Sequence, residues 1–170
     1  MPNRKRNPLR ALPDEVLQLL DRSQVKDVVI RFSTAMDLQD WEMLRACLAD
    51  EIEVDYSDLR GEPPQFVTAD DFVEQRKSGL AGLKTQHLSF NHQIRIDNDG
   101  AICASTSLIL RFAPQLKKRN FFNTHCRYEH SLIRTTKGWR ILKIRQHVLW
   151  NEGHAAVHGF HRQRQQKSKR

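Results

Sequence analysis

The chain has 170 residues and carries 28 Lys and Arg against 20 Asp and Glu, a formal net charge of +8. Residues 1–10 hold four bases and no acid, and residues 161–170 five bases and no acid, which leaves 19 bases and 20 acids between them. A basic nucleic-acid-binding body is thereby excluded, no apolar run approaches the ~20 residues of a membrane span, and 39% hydrophobic residues suit one core.

We read residues 1–10 and 156–170 as basic, disordered tails, too poor in apolar residues to join a core. They flank one domain at residues 11–155. Leu12–Leu20 contains Asp14 and Glu15 where a secretory leader needs an apolar stretch. Cys47, Cys103 and Cys126 are odd in number and form no C-x-x-C. Both features predict a cytoplasmic protein with reduced thiols.

In chain order, a helical turn over residues 12–20, with Pro13 suited to its start, leads to a helix capped by Ser23. Val25, Val28, Val29, Phe32, Ala35 and Met36 form its apolar stripe. Asp40 caps a short second helix bearing Trp41, Leu44 and Leu48. Ile52–Tyr56 alternates as a strand, and Gly61, Pro63 and Pro64 then break the chain. Thr68–Asp71 resembles a capping box that opens a third helix running to about Leu80. Residues 85–96, 101–112, 121–135 and 139–150 read as strands, with turns at Asp97–Gly100 and Thr135–Gly138. Helices followed by an antiparallel meander predict an α+β domain with its helices on one sheet face, and an apolar pocket where they leave the sheet uncovered.

Two ionisable residues sit among apolar neighbours. Asp37 ends the first helix, and His87 begins the first long strand. A carboxylate there could hold one imidazole nitrogen and leave the other as a general base. By spacing alone, an exposed helix-end aspartate and a structural histidine are the commoner arrangement. Strand parity opposes the pairing too: His87, Ser89, Asn91, Gln93 and Arg95 share one face, and Leu88, Phe90, Ile94 and Ile96 the other. A β-bulge within Ser89–His92 would put His87 on the face of Ile94 and Ile96.

Ala35–Cys47, Ile52–Tyr56, Thr85-Gln-His87 and Gly138–Ile141, in this order and spacing, resemble the scytalone dehydratase and SnoaL-like group of the nuclear-transport-factor-2-like fold. The resemblance covers roughly residues 22–152. It implies a cone-shaped curved antiparallel sheet wrapped around three N-terminal helices. It also implies that Asp37 and His87 form a catalytic pair and that Tyr56 is a pocket tyrosine polarising the substrate. Weaker pocket positions are Phe32, Met36, Trp41, Phe112 and Tyr128. Met36 stands where scytalone dehydratase has a second tyrosine. Its second pocket histidine falls at about Arg111 or Phe112 here, and its asparagine at Tyr128. The substrate-holding set is therefore rebuilt, which argues against scytalone itself.

These readings make the chain a cofactor-independent dehydratase, isomerase or cyclase for a small, largely apolar carbonyl metabolite, polyketide- or terpenoid-like. Its expected partners are that substrate and further copies of itself, as a trimer or dimer. No cofactor is expected. His154, His158 and His161 lack an accompanying Cys or acid, so no metal site is expected either. One rival is a non-catalytic binding or scaffold subunit like the β-subunit of a ring-hydroxylating dioxygenase, in which Asp37 and His87 would not touch. The other is a nucleic-acid-associated module acting through the tails.

Overall fold

No Gly or Pro interrupts residues 14–38, and helix α1 runs unbroken over Asp14–Leu38. Ser23 is thus an interior residue and not the expected cap; Pro13 precedes the first turn. The computed structural model describes residues 13–158, and the tail readings at 1–10 and beyond 158 lie outside them. The predicted stripe of α1 is buried along its whole length. Two residues before Ser23, Asp21 accepts two hydrogen bonds from Arg134, at 2.8 and 2.6 Å, which pins α1 to the sheet.

Asp40 caps α2 (Trp41–Ala46) by accepting from the Met43 N–H at 2.9 Å. Leu48, expected on that helix, instead opens strand β1 (Leu48–Asp55). A single-turn helix, α3 (Ser57–Arg60), follows, then a short strand, β2 (Gln65–Thr68). The strand reading misses β2 because Pro63 and Pro64 precede it. Proline is tolerated at the start of an edge strand, where its missing N–H costs nothing. Helix α4 (Ala69–Leu80) begins at the expected box: Thr68 Oγ1 accepts from the Asp71 N–H at 3.1 Å and donates to Asp71 Oδ2 at 2.7 Å.

The four long strands are β3 (Lys84–Asp97), β4 (Gly100–Phe112), β5 (Phe122–Thr135) and β6 (Gly138–Gly153). One sheet has the order β2-β1-β6-β5-β4-β3. Its pairs are antiparallel except β1 with β6, which are parallel. The expected antiparallel meander is thus β3 to β6, and β1 joins it in parallel, at β6. The two strands are far apart in sequence, so no tight turn forces them to run oppositely. Val157 and His158, assigned to the tail, are also buried, with Val157 packed beside Leu83, Ala113 and Phe122.

β3 pairs with β4 in two registers. Lys84–Phe90 match Phe112–Thr106, and Gln93–Asp97 match Ala104–Gly100. Asn91 and His92 therefore both oppose Ser105, and Asn91 adopts a left-handed φ of 53°. This is a β-bulge. It sets His87 and Ser89 on the same inner face as His92, Ile94 and Ile96. The helices α1 and α4 cover that face, with Phe32 and Phe72 in ring contact between them.

Candidate active site

Asp37 lies in the last turn of α1, where the negative end of the helix dipole disfavours a carboxylate. Three donors from β3 offset this. The His87 backbone N–H donates to Oδ2 at 2.7 Å, Thr85 Oγ1 donates to Oδ1 at 2.9 Å, and His87 Nδ1 donates to Oδ1 at 2.5 Å. A carboxylate can only accept, so this contact assigns the neutral ring's proton to Nδ1. Nε2 bonds no atom among the described residues.

Burial alone would raise the Asp37 pKa. The bonds and charge of His87, together with Thr85, outweigh it and hold the carboxyl below its usual range. For His87 the balance runs the other way. Burial pushes its pKa below the ordinary 6.5, Asp37 pulls it up, and the charges of Arg111 and Arg76 push it down again. At neutral pH the pair is therefore a carboxylate beside a neutral imidazole, which is the state a general base requires.

Tyr56 directly follows β1, as the residue before α3, and is 7% exposed. Asp55 fixes the chain around it by accepting from the Ser57 N–H at 3.1 Å and Ser57 Oγ at 2.7 Å. The Arg60 and Arg76 guanidinium groups lie 4.7 and 5.3 Å from the Tyr56 ring centroid. Tyr128 on β5 is buried, accepts from Gln146 Nε2 at 2.7 Å, and has its phenol pKa pushed well up by burial.

The remaining expected pocket residues divide. Phe32 and Met36 are buried, and Phe32 meets His130 edge-on at 5.5 Å. Trp41 is half-buried and lines a surface cleft with Arg45 and Lys137, a lining that does not include His87. Phe112 is 41% exposed on the outer face, and its neighbour Arg111 points inward instead. The signal was present in β4, where Ala101, Cys103, Ser105, Ser107 and Ile109 are all buried in phase with Arg111. The resemblance places the pocket position at about Arg111 or Phe112, and the structure turns Arg111 inward. The cations acting on the His87 ring are accordingly Arg111 and Arg76, and the apolar side chains of α1 belong to the core.

Cys47, Cys103 and Cys126 are free, and burial pushes each thiol to about 11, so none serves as a nucleophile at neutral pH. Among the described residues no helix is long and apolar enough to cross a membrane.

The SnoaL-like domain matches residues 17–145. The scytalone dehydratase-like protein Arp1 of Metarhizium guizhouense is 28% identical over 134 residues, 72% of this chain and 78% of that protein. The scytalone dehydratase-like protein claB of Passalora fulva is 31% identical over 71 residues, 39% of this chain, a match that spans 44% of that relative's length. Two solved structures share the fold. The Kfla4162 protein of Kribbella flavida superposes with a TM-score of 0.79 at 20% identity, covering 82% of this chain and 97% of that one. The hexachlorocyclohexane dehydrochlorinase LinA-type3 of Novosphingobium barchaimii superposes with a TM-score of 0.66 at 15% identity, covering 85% and 97%. With the family match extending from α1 into β6 and the fold shared with these structures, the chain belongs to the SnoaL-like domain family, on the nuclear-transport-factor-2-like α+β fold.

Proposed function

We propose that the protein is a dehydratase- or isomerase-type enzyme that acts on a small carbonyl metabolite by proton transfer through His87 and Asp37. The observation that carries this reading is the asymmetry of His87, whose Nδ1 is bonded to Asp37 while Nε2 is free to take a proton. The names of the relatives support it, since dehydratase and dehydrochlorinase both denote eliminations.

In this mechanism His87 Nε2 removes a proton α to the carbonyl. Asp37 holds the tautomer and stabilises the imidazolium that forms. The Tyr56 hydroxyl donates to the developing enolate oxygen. The imidazolium then returns its proton. Delivery to a departing β-hydroxyl releases water and gives dehydration. Delivery to a different carbon gives isomerisation, and internal capture of the enolate gives cyclisation. All three begin with the same step. In a homo-oligomer, trimer or dimer, the outer sheet face would be covered, where Leu142, Leu149 and Trp150 are exposed.

The test follows the shared first step. A panel of small ketones and β-hydroxy carbonyl compounds is incubated in heavy water, and α-deuterium incorporation is followed by proton NMR. Wild-type protein is expected to accelerate exchange, and His87→Ala to lose that acceleration with the fold retained. Exchange at the wild-type rate in His87→Ala would remove the base assignment.

A further inference from the structure

Arg60 and Arg76 lie over the Tyr56 ring, and the charges of Arg76 and Arg111 act on His87. Arg60 has Glu62 beside it in a small cleft. Arg76 lies over the Tyr56 and Phe72 rings, at 5.3 and 4.8 Å, and its buried Nε bonds nothing among the described residues. Arg111 is only 6% exposed. Its Nη1 donates to Thr124 Oγ1 at 2.9 Å and, marginally, to the Phe122 carbonyl at 3.5 Å. Neither Arg76 nor Arg111 has a carboxylate within ion-pair distance among the described residues. Asp37, the acid nearest His87, is already engaged by Thr85 and His87. Burial lowers the Arg111 pKa to about 10, so it remains a cation at neutral pH.

The register places this cation. Arg111 itself pairs with Thr85, but its guanidinium leans to Thr124. Thr124 lies on the cross-strand row His87–Ile109–Thr124. The guanidinium thus reaches the row of the base at Thr124, whose strand lies two strands, or about 10 Å along the sheet, from β3. Its Nε and Nη2 bond no protein atom among the described residues, and that edge of the fork matches a carboxylate in two-point geometry. A buried cation without a counter-charge is costly, and an anion brought beside it recovers much of that cost. A neutral, wholly apolar substrate would recover none of it.

We propose that Arg111, supported by Arg76, forms an anion subsite across the interior from His87, so that the substrate carries a carboxylate in addition to its reacting carbonyl. This deepens the reading above and rests on it for the reacting carbon. The carboxylate accepts from the free edge of Arg111, the apolar body lies toward Phe32 and Met36, and the carbonyl lies between Tyr56 and His87.

The test uses 2-naphthoate and its neutral counterpart 2-naphthamide, titrated calorimetrically into the full chain. Naphthoate is expected to bind about tenfold more tightly than naphthamide. Arg111→Gln is expected to remove that preference, with Arg111→Lys intermediate and Arg76→Gln partly weakened. Naphthoate binding no tighter than naphthamide in the wild type overturns the proposal, as does wild-type naphthoate affinity in Arg111→Gln. Should Arg111→Gln fail to fold by circular dichroism, the wild-type comparison and Arg76→Gln decide. His87→Ala separates the two readings. A naphthoate preference that persists in His87→Ala, with α-proton exchange unaffected by that substitution, removes the catalytic reading and leaves the subsite standing.

Discussion

Asp37 and His87 are joined twice, because the one carboxylate accepts both the backbone N–H and the ring Nδ1–H of the same histidine, at 2.7 and 2.5 Å. The backbone bond fixes where β3 meets the end of α1. The ring bond fixes the tautomer. Orientation of the imidazole is thus coupled to the packing of helix on sheet, and no mobile loop intervenes.

Replacing Asp37 by Asn separates charge from geometry. We expect α-proton exchange to fall by about 10²–10⁴-fold, the range associated with losing the orienting carboxylate of a His–Asp pair. The pH profile carries the sign. A neutral base loses activity as pH falls through its pKa, and in the wild type that limb lies below the ordinary 6.5 because burial dominates. Asp37 is the group that raises it, so Asp37→Asn should move the acid limb to lower pH. An unchanged rate, or a limb that moves upward, would contradict the assignment.

Thr85 touches the ring only through Asp37, which makes it a positioning residue. Thr85→Val removes one of three donors to the carboxylate while keeping a β-branched shape. We expect a loss of about 1 kcal/mol in stability and a fall in exchange of about threefold to tenfold. Thr85→Ser, which keeps the hydroxyl, should restore most of both. Urea midpoints and exchange rates, measured side by side, check this.

His130 offers a stability test away from the proposed chemistry. It is 2% exposed, stacks on Tyr128 at 5.1 Å, and neither ring nitrogen has a hydrogen-bond partner among the described residues. Burial first, and the nearby His92 second, press its pKa to about 3. The unfolded chain takes up this proton near pH 6.5 and the folded chain does not, so stability is lost as pH falls from about 6.5 toward 3. At pH 5 the loss is about 2 kcal/mol. His130→Phe should remove it, leaving a smaller difference in Tm between pH 7 and pH 5 than the wild type shows. An equal or larger difference would count against the buried neutral ring.

Asn91 holds its left-handed conformation within a strand, at a cost that a β-branched residue would increase by about 1–2 kcal/mol. Asn91→Val should therefore destabilise the fold, and Asn91→Gly should be neutral within a few tenths. Deleting Asn91 removes the bulge and turns His87 outward. We expect that deletion to abolish α-proton exchange even where circular dichroism shows a folded protein.

Much of the fold was legible in local patterns that tertiary packing did not override. The stripe from Val25 to Met36, the caps at Asp40 and Thr68, and the two hairpin turns each satisfy a local rule. The start of α1 was not legible, because Ser23 has the chemistry of a cap but no break in the chain to cap. The orientation of Arg111 was legible in the β4 alternation, yet a buried arginine opposes the usual partition of charge to the surface. The parallel β1–β6 pairing depends on contacts between distant segments and left no local trace.

The bulge at Asn91 divides β3 into two independently phased segments. Within residues 84–90, Thr85 and His87 face α1 and bond Asp37, and within residues 93–97 Ile94 and Ile96 pack against the apolar core. Because the phase is reset between them, the side chains of the first segment can change without altering which residues of the second support the fold. One strand thereby serves as both a replaceable chemical insert and a fixed structural stave.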